Sequence, residues 1–467
     1  MAQLEQAAHT LYKKDLQTLS RDQVRNIQLR GVKSMLERVY RNSPFYRERL
    51  KKAGVRPEGV NSLEDFARRV PFLTKEEVVK EQAENPPFGR LLCVPEHRIR
   101  LMHITSGSSG MGQEVHGLTK EDVRLSADAL LYHTYTAGLV PGDIDALLWP
   151  VATMAGGLIV VSGFQYGGIN GVLLHVFDSR TKLERMKRLN VHHIWATPAY
   201  LTRLTVLCEE MGIVPKKDFP RLKSITLSTE PFPVEWALRM QEAWGCTVHD
   251  MYGSTQLGIA YAVTCEKGVV ADGRRNCYHL LEHLALVEVL DRETGKPVRP
   301  GEDGEAVVTT FLRRGMPLIR FKSNDRVRVL PQGYCDCGRS GDVWEAGTIS
   351  RYDDMIKMKA TNVWPQAVDE VIFAYPEMAE YNGRVSLNDA GKEEVAITVE
   401  FKKNVTDGAL KRNILQRLPE ELKRKTGVSM QVIEAPFGTI QRFEYKVRRW
   451  NDERESGLQR VRFLEKG

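Results

Sequence analysis

Across residues 99–319, short β-branched runs take turns with longer amphipathic segments: 126–137 precedes 146–148, and 181–189 precedes 193–196. A strand needs a sheet and an amphipathic helix needs a face to cover, so this alternation specifies a layered α/β architecture. The chain has 467 residues, more than one hydrophobic core normally organises, so two domains are expected. Near Ser350 the texture changes, because a charged turn, Ser350-Arg351-Tyr352-Asp353-Asp354, leads into a compact helix, strand pair, helix and strand. The boundary is placed there, giving a large unit over 1–349 and a small, mobile α+β lid over 350–467. Residues 1–50 of the large unit read as a helical packing arm, with helical apolar spacing over 22–39.

Composition narrows the partners. With 42% hydrophobic and 27% charged residues the chain is globular rather than disordered. Lys and Arg exceed Asp and Glu by 67 to 60, a net +7, but the cations are interleaved with acids. That distribution favours small anionic ligands over nucleic acid, for which no aromatic-studded basic stripe is present. Residues 146–174 carry no Asp, Glu, Lys or Arg, which by length alone would span a bilayer. Pro150, Gly156, Gly157, Gly163, Gly167, Gly168 and Gly171 instead predict strand, turn and buried helix. The polar start lacks a basic-then-apolar leader, so a cytoplasmic protein without a membrane span is expected. Seven cysteines, an odd number, argue against a disulfide framework and leave burial or metal ligation.

The glycine and hydroxyl residues Ser106, Gly107, Ser108, Ser109 and Gly110 form a turn whose free amides suit phosphate oxygens. No Gly-Lys-Ser/Thr follows, which disfavours a P-loop NTPase. Further along come Ser228-Thr229-Glu230-Pro231, Tyr252-Gly253-Ser254-Thr255-Gln256, Phe321-Lys322-Ser323-Asn324-Asp325 and the turn at Ser350. In that order the strings resemble the adenylate-forming superfamily. Asn42-Ser43-Pro44-Phe45-Tyr46-Arg47, Val70-Pro71-Phe72-Leu73-Thr74-Lys75 and Asn362-Val363-Trp364-Pro365 narrow the resemblance to its phenylacetate-CoA ligase branch, over nearly the whole chain.

The resemblance implies a fold, a reaction and roles. An aromatic carboxylic acid would be joined to CoA through an acyl-adenylate, with ATP, Mg²⁺ and CoA as partners and a homodimer as the assembly. Ser106 to Gly110 would hold phosphates, Glu230 and Pro231 would border the adenine, and Tyr252 would stack near it. Gly253, Ser254, Thr255 and Gln256 would continue the nucleotide site. Asp325 would accept from the ribose hydroxyls, a charge-assisted contact, and Arg351 would reach the same sugar. Lys446, in the terminal string 438–449, would bridge carboxylate and phosphate in the first step, where added positive charge stabilises the transition state. One residue departs from the pattern, since Gln256 stands where the family usually has a Glu associated with Mg²⁺.

Two readings compete with CoA ligation: adenylation followed by transfer to an amine or a carrier protein, and a non-catalytic nucleotide or acyl-CoA binder made plausible by Gln256. Cys335 and Cys337, with Cys265 and His279, match a structural zinc knuckle of the branch, with Cys277 and His283 as alternatives. The zinc would clip the loop near Tyr334 to the strand after Leu284. The acid would sit among Trp149, Tyr166, Ala196, Pro198 and Tyr252, an apolar wall with few polar groups.

Overall fold

The computed structural model describes residues 12–105, 112–359, 361–388, 392–442 and 449–454. After one short turn, helix Arg21–Asn42 is started by a Ser20/Gln23 capping box and buries Val24, Val32, Met35, Leu36 and Val39. It lies so close to the large sheet that a Cβ on Gly31 would come 2.8 Å from the Phe311 ring. Ser43 caps a second helix, Pro44–Lys52, with proline at its first turn.

Strands β1 (Ile99–Ile104) and β2 (Val115–Thr119) form an antiparallel hairpin. The large sheet then builds from β3 (Ile144–Leu147), β4 (Asn170–Leu173), β5 (His193–Ala196), β6 (Ser224–Leu227) and β7 (Thr247–Ser254), all parallel in the order β4-β3-β5-β6-β7. Helices Ala155–Gly167, Ser179–Leu189, Pro198–Glu210 and Val234–Trp244 make the crossovers. Every residue of β5 and β6 is buried, as parallel strands covered on both faces must be.

Alternation stops at β7, earlier than the sequence pattern suggests. From β8 (Ile259–Thr264) onward the sheet is antiparallel, and no helix interrupts 245–349 among the described residues. A ribbon of β9 (Val270–Ala271) and β10 (Arg274–Arg275) precedes β11 (Cys277–Leu280), β12 (Ala285–Leu290), β13 (Asp303–Thr310), β14 (Phe321–Leu330), β15 (Val343–Glu345) and β16 (Ser350–Arg351). The order continues β7-β8-β11-β15-β14-β13-β12, with β16 added to β14. The polar positions of Phe-Lys-Ser-Asn-Asp-Arg-Val-Arg-Val in β14 show why: this half faces solvent on one side, so its strands need no covering helices.

The small unit begins with hairpin β17 (Ile356–Met358) and β18 (Thr361–Val363). Its four strands, β19 (Met378–Leu387), β20 (Glu393–Phe401), β21 (Gln431–Ala435) and β22 (Trp450–Asp452), run in the order β21-β20-β19-β22. Helices Pro365–Ile372 and Gly408–Thr426 cover one face, sharing a core of Val368, Ile372, Tyr381, Val399, Leu418 and Leu422. The uncharged stretch 146–174 resolves into strand, helix and strand, and no described helix is long and apolar enough to cross a membrane.

Candidate active site and metal centre

The ends of β6 and β7 and the β14/β16 pair bring the dispersed motifs together. Ser228, just past β6, donates its hydroxyl to the Met251 carbonyl at 3.1 Å. The next residue of β7, Tyr252, donates its hydroxyl to Asp325 Oδ2 on β14. Asp325 is paired in register with Arg351 of β16, and Arg351 Nη2 bonds Asp353 Oδ2 at 2.8 Å. The strand parity of β14 aims Asp325 and not Asn324 at Tyr252; Asn324, at φ 64°, reaches Asp353 instead. Glu230 lies in the turn after Thr229, which takes a φ of 80°, and its Oε2 accepts the Ala199 amide at 3.2 Å at the start of helix Pro198–Glu210.

Burial pushes the Asp325 carboxyl up to about 6, against the opposing pull of Arg351 and the Tyr252 hydroxyl. An anion is thus held ready in a poorly solvated corner, suited to accept from hydroxyl donors. Tyr252 is less available than expected: its ring packs on Tyr261 and Trp344 at 5.3 and 5.8 Å, with its hydroxyl already on Asp325.

A cavity of about 260 Å³ opens between the two units. Pro198, Glu230 and Pro231 line it from the large unit, and Phe373, Arg442 and Arg449 from the small one. The expected adenine-border residues therefore face an interdomain cleft. Ser106, Gly107, Ser108, Ser109, Gly110 and Lys446 lie outside the described residues. Thr105 N donates to the Glu114 carbonyl at 3.0 Å and Glu114 N to Thr105 Oγ1 at 2.8 Å.

Gln256 stands beside Thr105 and Glu114, in a group whose other members Glu114, His116 and Arg313 the sequence reading did not name. Gln256 Nε2 donates to Glu114 Oε2 at 2.8 Å, with Lys75 Nζ 3.8 Å from the same oxygen and His116 Nε2 3.7 Å from Oε1. Burial works to raise the Glu114 carboxyl, but His116, Lys75 and Gln256 outweigh it and keep it below the usual carboxylate range. Arg313, fully buried, donates to the Thr255 carbonyl at 2.5 Å, and burial pushes its guanidinium down to about 10. Ser254 accepts the Gly258 amide at 2.8 Å, closing the turn that carries Gly253, Thr255 and Gln256.

The expected acid wall divides. Trp149 packs edge-to-face on Trp195 at 5.4 Å, in an apolar cluster with Ile159, Phe164, Met251 and Ala260. The Trp149 indole nitrogen is buried without a hydrogen-bond partner. Tyr166, by contrast, is 49% exposed. It falls two positions after Phe164, about 200° around the helix, and so turns away from the cluster. Ala196 follows Trp195 on β5, so strand alternation turns its side chain to the opposite face, into the core under helix Pro198–Glu210. Pro198 borders the interdomain cavity rather than the Trp149 cluster.

Cys265, His279, Cys335 and Cys337 do meet, their donor atoms all within 4.8 Å of one another. Cys265 Sγ is 3.7 Å from Cys335 Sγ, and Cys337 Sγ 3.4 Å from His279 Nε2. The thiols share their protons: hydrogen bonds from Cys265 and Cys277 hold the Cys335 thiol far below its ordinary range, and the same contacts hold Cys265 and Cys277 far above theirs. Three thiols and an imidazole converging in this way fit a closed tetrahedral zinc site. Cys277 is adjacent, 3.6 Å from His279 Nε2, whereas His283 is engaged by the Tyr132 hydroxyl at 2.8 Å. The loop at Tyr334 is therefore clipped to the end of β8 and to β11, not to the strand after Leu284 as expected. Just beyond the knuckle, Arg339 bonds Gln17 of the arm at 2.8 Å, Glu266 at 2.7 Å and Thr136 at 3.2 Å.

Comparison with known proteins follows the same outline. The AMP-binding enzyme family matches residues 48–310, and the AMP-binding enzyme C-terminal domain matches 360–454. The phenylacetate-coenzyme A ligase of Thermus thermophilus is 28% identical over 449 residues, covering 93% of this chain and 97% of its own length. That of Pseudomonas putida is 25% identical over 435 residues, covering 92% and 94%. Among solved structures, a 2-hydroxyisobutyryl-CoA ligase in the postadenylation state superimposes with a TM-score of 0.87 at 22% identity, over 98% of this chain and 95% of that one. That likeness speaks to the fold alone.

Proposed function

This chain belongs to the AMP-binding enzyme family, and we propose that it is an AMP-forming acid:CoA ligase acting on an aromatic carboxylic acid of the phenylacetate, benzoate or phthalate type. The observation that supports this reading is the run of contacts from Ser228 through Met251 and Tyr252 to Asp325, which is paired in register with Arg351, so that four of the dispersed motifs lie side by side. Near full-length similarity to phenylacetate-coenzyme A ligases supports the acceptor and the acid class.

In the first step a carboxylate oxygen attacks the α-phosphorus of ATP, forming an O–P bond as the bond to pyrophosphate breaks. In the second, the CoA thiol attacks the acyl carbonyl and loses its proton, and AMP leaves with the C–O bond. Asp325 accepts from the ribose hydroxyls and Arg351 holds the same sugar edge. Glu230 and Pro231 border the adenine in the interdomain cleft. Ser106 to Gly110 enclose the phosphates, and Lys446 bridges carboxylate and phosphate. Gln256 would be the neutral oxygen donor toward Mg²⁺ arriving with ATP, which would offset phosphate charge. The Trp149 cluster supplies the apolar acid pocket, and Cys265, His279, Cys335 and Cys337 would hold a zinc whose role would be structural.

The test is acid-dependent ATP–pyrophosphate exchange over a panel of phenylacetate, benzoates, phthalates and 2-hydroxyisobutyrate, followed by AMP release with and without CoA. Exchange with an aromatic acid and CoA-dependent AMP release are expected. No exchange with any acid would overturn the ligase reading, and AMP release requiring an amine or carrier protein would redirect the acceptor.

A further inference from the structure

Glu114 and Gln256 lie 142 residues apart in sequence and meet in one hydrogen bond of 2.8 Å. Glu114 has no solvent exposure, and its Oε1 has no hydrogen-bond partner among the described residues, with His116 Nε2 3.7 Å away. Its backbone is tied at both N–H and carbonyl to Thr105, so residue 114 is held against residue 105. A carboxylate only accepts, so the Gln256 amide must turn its NH₂ end toward Glu114. The carbonyl oxygen is then the end turned from Glu114, on a side chain that is only half-buried. Lys75 adds a cation on the inner side of the pair and lies near Arg351 and Asp353 as well.

The two residues are one arrangement, not two. A glutamate at 256 would set a second carboxylate against Glu114 at hydrogen-bond distance, where like charges in a buried site force one to stay protonated. The neutral amide fits because the negative charge of this corner is already supplied by Glu114, from the other side of the contact. An amide oxygen is an acceptable donor to a hard cation or its bound water, so the pair fits a nucleotide-bound Mg²⁺.

Building on the adenylating reading above, we infer that Glu114 is a positioning residue: it fixes the Gln256 amide with its oxygen toward the metal-bound triphosphate and carries the negative charge that this corner presents. Gln256 then marks a charge relocated within the site, not a site that has lost its metal.

The test is a charge-swap cycle on the full-length protein, with Mn²⁺ as the probe: Glu114→Gln, Gln256→Glu and the double variant. Affinity for Mn²⁺ in the presence of ATP is read by paramagnetic resonance, and ATP affinity with and without Mg²⁺ by calorimetry. Each single change should weaken metal-dependent ATP binding about tenfold, and the double should recover to within about threefold, the pattern of two coupled contacting groups. Binding without metal should change little in any variant. Tighter metal binding by Gln256→Glu alone, no loss in Glu114→Gln, or losses that simply multiply in the double would overturn the inference. If Glu114→Gln does not fold, Gln256→Glu decides by itself, weaker supporting and tighter refuting. The cycle reads binding only, so a wild type without acid-dependent exchange would sink the ligase reading and leave this result standing.

Discussion

Changing Asp325 to asparagine keeps the shape of the side chain and deletes its charge. Hydrogen bonds to an ionised acceptor contribute about 1.5–3 kcal/mol. At about 1.4 kcal/mol per tenfold in Kd, ligands bearing a ribose should bind roughly ten- to a hundredfold more weakly at pH 7.5. The pH response separates charge from shape. Burial raises the Asp325 carboxyl to about 6, so roughly a tenth of it is ionised at pH 5 and wild-type affinity should fall close to tenfold between pH 7.5 and 5. The asparagine variant should show no such fall. Adenosine is the preferred probe in calorimetry, because it keeps the ribose and has no phosphate to titrate. Stability runs the other way. A carboxyl whose folded value lies above its ordinary 3.8 favours the folded state below about pH 4 and loses that contribution as pH rises through about 6. Asp325→Asn should therefore be no less stable than wild type at neutral pH, and a loss of affinity is not a loss of fold. Wild-type affinity in the variant, or an unchanged pH dependence, would refute the role given to Asp325.

Metal analysis should find about one zinc per chain, and Cys337→Ser should lower both metal content and melting temperature, removal of a structural ligand being strongly destabilising; full metal retention would remove zinc from this set of ligands. Trp149→Phe should shift the preference among acids about tenfold in kcat/KM while Tyr166→Ala leaves it within about twofold, since only Trp149 belongs to the buried cluster. The reverse ranking would move the acid pocket to the exposed face of helix Ala155–Gly167. Gly258→Ala should destabilise the protein by about 1 kcal/mol or more in thermal unfolding, because Gly258 has φ +73° and a Cβ there would meet Arg313 Nε at 2.4 Å. Unchanged stability would mean that the turn carrying Gln256 is not braced by Arg313.

What the sequence disclosed follows from range. Period-two and period-3.6 patterns are local, so the crossovers through Val234–Trp244 were legible, and the Cys-x-Cys pair drew notice to the four residues whose donor atoms meet at Cys335. Tyr166 and Ala196 were misplaced because nearness along the chain was taken for nearness in space; helix phase turned one away and strand parity the other. The antiparallel half was missed for a related reason, since a half-exposed strand such as β14 looks polar to any reading that expects covered strands. Glu114 had no signature at all. Nothing in Gln113-Glu114-Val115 distinguishes a structural carboxylate from one that orders a distant amide, and only the fold, by holding Glu114 against the turn after β7, makes the difference visible.

Arg339 joins three parties: the first described turn of the arm through Gln17, the strand end bearing Cys265 through Glu266, and the helix Lys120–Thr136 through Thr136. Gln17 and Arg339 are 322 positions apart, yet neither the arm's seat nor the knuckle's is complete alone. Changes far apart in the chain would thus share one effect, a shortened arm loosening the turn at Cys335 and Cys337 and a change in that turn loosening the arm.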